Sequence, residues 1–383
     1  METMNTQSIE NAEKVIKNLG RCNGKRLRNS NLELLRIISI LMVITTHFCN
    51  SEYGFKLSTT AEEKFFINFI YSLSIGAVDI FLIISGYFSI YSKKTILGKP
   101  LNLTILVIFY AEFWNCIIYI RDRQFDIIQF LQNLIPSSYF VNIFCVLYLI
   151  SPYINFTIIN LSKKQLDNFL LLLIILFAIW PTIANIFFYQ AIGDHFGFYP
   201  IGLTGTDRGF TLVNFTLCYI IGAYLRITNF KFWNKQRSRL FFIFFIASLS
   251  TILVILFPFL RSITHGIDSY DSIITICLAT SIFLFFAKLD IPCIKIINQI
   301  ASATFCIYLL HETILIIVSK YIISLHENSE NLAFYIIKNY STIFLTYFIS
   351  ATIYFILTFA FKPIRKLWKR TRIYNKVLYN QQD

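Results

Sequence analysis

Residues 34–53 read LLRIISILMVITTHFCNSEY, a mostly apolar run with an arginine near its start and a histidine near its end. Similar runs recur along the chain between short polar stretches. Apolar residues make up 56% of the 383 positions and charged residues only 14%, whereas a soluble domain carries about a quarter charged residues. Because a helix needs about 20 apolar residues to cross a bilayer core, these runs predict an all-α polytopic membrane protein.

Composition also argues against several other classes of protein. The strands of a membrane β-barrel alternate polar and apolar residues over about ten positions, and these runs do not. The eight cysteines are scattered without a C-x-x-C pair, so we expect neither a disulfide framework nor a metal site. The net charge of +13 is explained better by membrane topology than by nucleic-acid binding, as the positions of the basic residues show.

The apolar runs predict ten transmembrane helices. Their expected bounds are Leu34–Tyr53, Phe65–Tyr91, Leu101–Ile120, Ser137–Ile159, Asn168–Gln190, Phe210–Thr228, Leu240–Leu260, Ser272–Leu289, Ile296–Ile323 and Tyr340–Phe361.

The basic residues predict the orientation of these helices. Cytoplasmic loops are enriched in Lys and Arg. With the N-terminus inside, only eight of the 34 basic residues fall on the outer side, which leaves 26 inside. An even number of spans then returns the C-terminus to the cytoplasm, so we expect both termini there.

Three regions follow from this reading: a basic leader at 1–33, a transmembrane domain at 34–361 and a basic tail at 362–383. Apolar residues at helical spacing over 9–19 fit either a short helix on the inner membrane face or a solvated tail. The leader is not a classical signal peptide, because about thirty polar residues precede the first apolar run. The outer loop Ala191–Gly209 is expected to turn the chain rather than to bind a substrate.

Ionisable residues inside the predicted spans are the main functional signal. Each costs about 2.5–3.5 kcal/mol on insertion scales and marks a functional site by default. Arg36 and His47 lie in the first predicted span, and eleven positions separate them, which is ~20° beyond three full turns of helix. They therefore share one stripe, ~16 Å apart along the axis. Arginine suits phosphate, and imidazole suits proton transfer near neutral pH. The other ionisable residues of this kind are Asp79, Glu112, His311 and Glu312.

Four segments resemble membrane acyltransferase family 3. The family shows an arginine, ten residues and a histidine in its first helix, as Arg36 and His47 are placed here. Residues 78–87, VDIFLIISGY, resemble its V-D-x-F-F-x-x-S-G-[FY] signature; residues 145–152, CVLYLISP, resemble its fourth-helix pattern; and residues 303–311, ATFCIYLLH, resemble its late Y-L-x-H segment. The resemblance runs from about Glu33 to Phe361, and the sequence is similar to the stand-alone form of the family.

This resemblance implies transfer of an acyl group, usually acetyl, from cytoplasmic acyl-CoA to a carbohydrate hydroxyl. Acetyl-CoA is then a donor substrate, and no bound cofactor is expected. The resemblance assigns His47 as the essential imidazole, and Asp79 and His311 fall in matching motifs. The predicted catalytic residues are His47, Asp79, Glu112 and His311, with Asp79 or Glu112 either orienting the imidazole or pairing with a polar neighbour on a helix. Ser85 and Glu312 are assigned to substrate binding.

The donor phosphates are assigned to Arg36, Lys93, Lys94 and Lys99. Many members of the family carry Arg-x-x-Arg after the second helix, whereas this chain has only lysines there. Lysine holds phosphate as a point charge and lacks the bidentate fork of arginine.

The expected partners are the lipid bilayer, acyl-CoA, a carbohydrate acceptor and glycan-assembly machinery. A composition rich in Ile, Phe, Asn and Lys points to a bacterial plasma membrane. Two rival functions remain open from the sequence. A transporter or flippase for lipid-linked sugars often shows internal repeats, and none is visible. A polymerase is expected to present a large outer catalytic loop, which the predicted spans do not leave room for.

Overall fold

A computed structural model describes the backbone of residues 21–22, 25–26, 29–58, 60–92, 95–123, 126–136, 138–187, 209–228, 236–256, 269–324 and 331–363. Within these ranges the chain is almost entirely helical. The exceptions are connecting turns, a short 3₁₀ turn at Phe55–Leu57 and two antiparallel two-residue strands, β1 (Arg21–Cys22) and β2 (Lys25–Arg26). The predicted all-α membrane class is confirmed. The proposed helix at 9–19 and most of the tail at 362–383 lie outside the described residues.

The helices follow in this order: α1 Ser30–Asn50, α2 Ala61–Ser74, α3 Ala77–Ser89, α4 Gly98–Asp122, α5 Ile127–Asn133, α6 Tyr139–Asn160, α7 Lys163–Ile174, α8 Trp180–Phe187, α9 Leu212–Thr228, α10 Gln236–Leu256, α11 Ile273–Ala287, α12 Lys295–Ala301, α13 Thr304–Ser324 and α14 Leu332–Ala360. A π-helical turn, Ile175–Ile179, joins α7 to α8.

Eight helical segments among the described residues are long and apolar enough to cross a bilayer. Two further apolar helices are shorter: α9 has 17 residues and α11 has 15. Each of these ten segments overlaps one of the ten predicted spans. The number of crossings and the side of each terminus stay predictions, because length and composition alone do not show where the bilayer lies.

Two predicted spans are interrupted rather than continuous. The span expected at Phe65–Tyr91 consists of α2 and α3, which are separated by a turn at Ile75 and Gly76. The span expected at Ile296–Ile323 begins with α12 and continues as α13 after a turn at Ser302 and Ala303. An apolar run shows that a segment is buried in lipid or protein, but it does not show where the backbone hydrogen bonding breaks.

Helix α1 lies at the centre of the bundle. It contacts α2, α3, α11, α12, α13 and α14, and its apolar residues belong to the main buried core. Its N-terminal end, the predicted inner end, is fixed by side-chain hydrogen bonds. The Asn31 amide donates to the carbonyl oxygens of Phe286 (2.9 Å) and Leu289 (3.2 Å) at the end of α11. The Ser30 hydroxyl donates to Asn298 of α12 at 3.1 Å. These bonds determine which face of α1 turns towards α13.

Helices α3 and α9 cross at van der Waals contact of their backbones. A Cβ atom at Gly86 would overlap the carbonyl oxygen of Tyr219, and one at Gly222 would overlap that of Ile83. Small residues allow helices to approach this closely inside a membrane, where packing rather than a hydrophobic driving force holds helices together. Gly86, in the segment VDIFLIISGY, therefore has a structural role: it allows α3 to cross α9 at this distance.

Candidate active site

A cavity of about 460 Å³ lies between α1, α3, α4, α6, α12, α13 and α14. Arg36 and Glu33 line one part of it, and Tyr308 of α13 lines another. Its walls are mainly aliphatic and aromatic, with Val43, Val78, Phe81, Phe140, Phe144 and Phe305 among them. Such a cavity suits a largely uncharged group whose polar end stays near the arginine.

Arg36 occupies the predicted inner end of this cavity. Its Nη1 atom lies 3.0 Å from Oε1 of Glu33, and its guanidinium carbon lies 5.9 Å from the ring centre of Phe88. The Arg36 side chain is 34% exposed, so donors that do not face Glu33 can reach an anion. Glu33, which sequence reasoning missed, therefore holds the guanidinium in place one helical turn away.

The structure says less about the lysines proposed for the donor phosphates than about Arg36. Lys93 and Lys94 lie outside the described residues. Lys99 is exposed at the start of α4, where its ammonium group lies 5.4 Å from the ring centre of Tyr148. It is not among the residues that line the cavity. Its assignment to the donor stays a prediction.

His47 meets α13 near the predicted outer end of the bundle. Arg36 and Val43 line the cavity on the same face of α1, and His47 follows Val43 by one turn. The ring centre of His47 lies 4.8 Å from that of His311, with the two rings nearly perpendicular. Its Nδ1 atom lies 3.3 Å from Oε1 of Glu312. The structure thus brings together three of the residues selected from the sequence.

The environment of His311 determines which of its ring nitrogens carries hydrogen. Nδ1 lies within hydrogen-bond distance of the carbonyl oxygen of Tyr308. A carbonyl oxygen only accepts, so Nδ1 is the donor and Nε2 keeps its lone pair. His311 is 1% exposed, and Nε2 has no hydrogen-bond partner among the residues that the structure describes. A buried imidazole nitrogen with an available lone pair therefore lies close to His47.

Glu312 is the carboxylate that lies beside His47. From the sequence, Asp79 or Glu112 was a candidate to orient this imidazole. His311 and Glu312 are consecutive, so their side chains leave α13 about 100° apart, and His47 lies between them. The signal for this arrangement was present in the sequence as adjacent ionisable residues in one span. Their common partner on α1 was not visible, because it depends on how the two helices are rotated against each other.

Asp79 and Glu112 are instead paired with amide side chains. Asp79 is fully buried, and its Oδ1 accepts a hydrogen bond from Asn214 of α9 at 3.1 Å. Glu112 accepts a hydrogen bond from Asn115, one turn along α4, at 3.3 Å. The first bond joins the two helices that cross at Gly86 and Gly222. These contacts give Asp79 a packing role, and the catalytic assignment of both carboxylates is untested.

Two further polar side chains belong to the cavity. Ser85 lines it, and its hydroxyl donates to the Phe81 carbonyl oxygen at 2.8 Å. Tyr308 packs against Phe140 at a ring separation of 5.2 Å, and its hydroxyl lies 3.4 Å from that of Ser138. Tyr308 also provides the carbonyl that fixes His311. It lies within the segment ATFCIYLLH, yet sequence reasoning gave it no role.

The chain also matches a known protein family. A model of the acyltransferase domain covers residues 29–362, nearly the whole chain. The chain belongs to the acyltransferase 3 family. No curated protein and no solved structure matches it. Membership makes this chain a membrane acyltransferase, with α1 to α14 inside the family domain, and it confirms the family that the four segments indicated.

Proposed function

We propose that this acyltransferase transfers an acetyl group from cytoplasmic acetyl-CoA to a hydroxyl of a cell-surface polysaccharide or of its lipid-linked precursor. The observation that carries the proposal is one cavity with Arg36 at its predicted inner end and the pair His47 and His311 beyond the far end. The ~16 Å between Arg36 and His47 along α1 suits the extended arm that joins the phosphates of CoA to its thioester.

The donor binds with its phosphates against Arg36 and its arm inside the apolar cavity. Arg36 is held by Glu33 yet keeps exposed donors, which suits an anion that enters from the cytoplasm. Ser85 of α3 and Tyr308 of α13 are two of the polar side chains that line the cavity. They are placed to contact the amide groups of the arm, which an entirely apolar wall would leave without partners.

His47 acts as general base on the acceptor hydroxyl. Its Nδ1 donates to the Glu312 carboxylate, and Nε2 takes the proton from the sugar hydroxyl. A carboxylate at Nδ1 orients a catalytic imidazole in this way and stabilises its protonated form. The hydroxyl oxygen then bonds to the thioester carbonyl carbon, the carbon–sulfur bond breaks, and the proton passes to the leaving thiolate. Initial transfer of the acetyl group to His47 is the other route that this geometry permits.

Incubation of membranes with labelled acetyl-CoA tests the proposal. We expect label to enter surface glycan with the unaltered protein and to be lost with His47→Ala, while the amount of protein in the membrane stays the same. His326→Ala, which changes a histidine between the last two predicted spans, is the matched control and should keep full labelling. Full labelling by His47→Ala would remove His47 from the mechanism. Movement of unmodified sugar without any labelling would favour a transporter.

A further inference from the structure

Three side chains of the candidate active site also form a potential metal-binding cluster. His47, His311 and Glu312 each offer one ligand atom, and these atoms all lie within 4.8 Å of one another. Two imidazoles and one carboxylate, with a fourth position for water, are a typical donor set for a zinc site. Such a site was not visible in the sequence, because the ligands come from two helices far apart in the chain.

The orientation of His311 is the second observation that points to a ligand. Histidines that bind metals nearly always donate their other ring N–H to a carbonyl oxygen or a carboxylate. Nδ1 of His311 has such a partner in the Tyr308 carbonyl. Nε2 is buried and has no partner among the described residues. A buried imidazole nitrogen without a partner costs free energy, which a bound ion would recover.

The distances allow an ion to be bound by small side-chain movements. Zinc bonds of about 2.0–2.2 Å place neighbouring ligand atoms roughly 3.3–3.5 Å apart in a tetrahedron. His47 and Glu312 are already at 3.3 Å. The remaining separations, up to 4.8 Å, must shorten by about 1.5 Å. The His47 and Glu312 side chains are 40% and 66% exposed, so both have room to rotate towards the fixed ring of His311.

We infer that His47, His311 and Glu312 bind one zinc ion, and that the bound ion inhibits acyl transfer. The ion takes one lone pair from each imidazole and one from the carboxylate. The binding rests on this geometry alone. The inhibition rests on the proposed function: an ion bound at Nδ1 of His47 displaces to water the hydrogen that this nitrogen donates to Glu312, and its positive charge opposes transfer of the hydroxyl proton to Nε2. Mg²⁺ and Ca²⁺ prefer sites made of oxygen ligands, so they should neither bind tightly here nor inhibit.

Binding is tested on the purified full-length protein in detergent after treatment with a chelator. Zinc is titrated in competition with a chromophoric chelator, and cobalt replaces it for absorption spectra. We expect one zinc ion per chain and the visible bands of tetrahedral cobalt. His311→Ala and Glu312→Gln should each weaken zinc binding at least tenfold, a loss comparable with that from removing a supporting residue of a metal site.

Two control variants separate this site from adventitious binding. Cys116→Ser removes an exposed thiol, and His326→Ala removes another histidine. Both should keep the affinity and the cobalt bands. Absence of zinc binding at low micromolar concentration would overturn the inference. So would equal binding by His311→Ala, since the zinc would then be bound by other groups.

Inhibition is measured separately, with labelled acetyl-CoA and the unaltered protein. Zinc should stop labelling over the concentration range in which it binds, a chelator should restore labelling, and Mg²⁺ should have no effect. Full labelling with zinc bound would refute the inhibitory role. If no acyl transfer is found without zinc, the proposed function fails, and the binding titration still decides whether the site exists.

Discussion

At the scale of single residues, the site depends on two consecutive residues of α13 that both contact His47. His311 is buried and fixed by a backbone carbonyl, whereas Glu312 is largely exposed and bonds to the imidazole of His47. The buried residue cannot change its orientation without losing its hydrogen bond. The exposed one can be replaced without disturbing the core. This difference makes Glu312 the better position at which to test catalysis apart from folding.

Glu312→Gln should lower kcat by roughly 10²–10³-fold, within the range that a positioned acid–base group contributes. The amide keeps the shape of the side chain but no longer stabilises a positively charged His47. The unfolding temperature in detergent should not change, because Glu312 is exposed. Glu62→Gln, an exposed position at the start of α2, is the control and should keep full activity. An unchanged kcat in Glu312→Gln would exclude a role for this carboxylate in supporting His47.

Arg36→Ala should raise KM for acetyl-CoA roughly 10–100-fold, since hydrogen bonds to charged groups contribute about 1.5–3 kcal/mol. The value of kcat at saturating donor should change much less, because Arg36 is far from the reacting atoms. Initial rates over a range of donor concentrations give both constants. Lys163→Ala, an exposed change at the start of α7, should alter neither. An unchanged KM in Arg36→Ala would refute its role in donor binding.

The sequence predicted the individual members of the site better than their partners. Arg36, Ser85, His47 and His311 stand out because ionisable or polar residues in apolar runs are costly. The pairing of Glu312 with His47 and of Asp79 with Asn214 depends on helix rotation and crossing. Neither follows from the spacing within one helix, so the carboxylate beside His47 could be identified only in the structure.

At the scale of helices, the crossing of α3 and α9 is the contact least tolerant of change. Gly86 and Gly222 each face a backbone carbonyl of the opposite helix. Backbone cannot move aside as the end of a flexible side chain can, so an added methyl group must push the helices apart. Val78, Phe81 and Ser85, which line the cavity from α3, would move with them.

Gly222→Ala should therefore destabilise the protein by about 1–3 kcal/mol or more, as overpacking does in a close-packed core. Thermal unfolding of the purified protein in detergent measures the effect. Gly76→Ala is a matched control, because its added Cβ would lie 3.2 Å from the Cβ atom of Ala279 and 3.4 Å from the carbonyl oxygen of Thr275, so that a shift of a few tenths of an ångström accommodates it. Equal unfolding temperatures for the two variants would contradict the close contact of α3 and α9.

Helix positions were predictable from hydropathy, while their interruptions were not. Ten apolar runs correspond to helical segments because every backbone polar group inside a bilayer must find an internal partner. The turns at Ile75–Gly76 and Ser302–Ala303 lie inside apolar runs and leave the mean hydropathy unchanged. Only tertiary packing distinguishes such a turn from a continuous helix.

At the scale of the whole molecule, the asymmetry of basic residues predicts both termini in the cytoplasm. A fluorescent protein fused after Asp383 should therefore fluoresce. Alkaline phosphatase, whose disulfides form only outside the cytoplasm, should be active when inserted in the loop 191–209 and inactive after Asp383. Active phosphatase at the C-terminus would overturn the predicted cytoplasmic position of that terminus.

The close crossing of α3 and α9 also bears on how a bulky donor enters. A displacement of either helix must displace the other, because their backbones are in contact. Helix α6 is joined to them, since Asn155 accepts a hydrogen bond from Tyr219 and donates one to the Ser89 carbonyl. Helix α4 contributes Leu103 to the cavity, yet most of its apolar surface faces outwards. We expect α4 to be displaced outwards when the donor nucleotide binds. Because this displacement pushes against lipid, the rate of donor binding should depend on the stiffness of the surrounding bilayer.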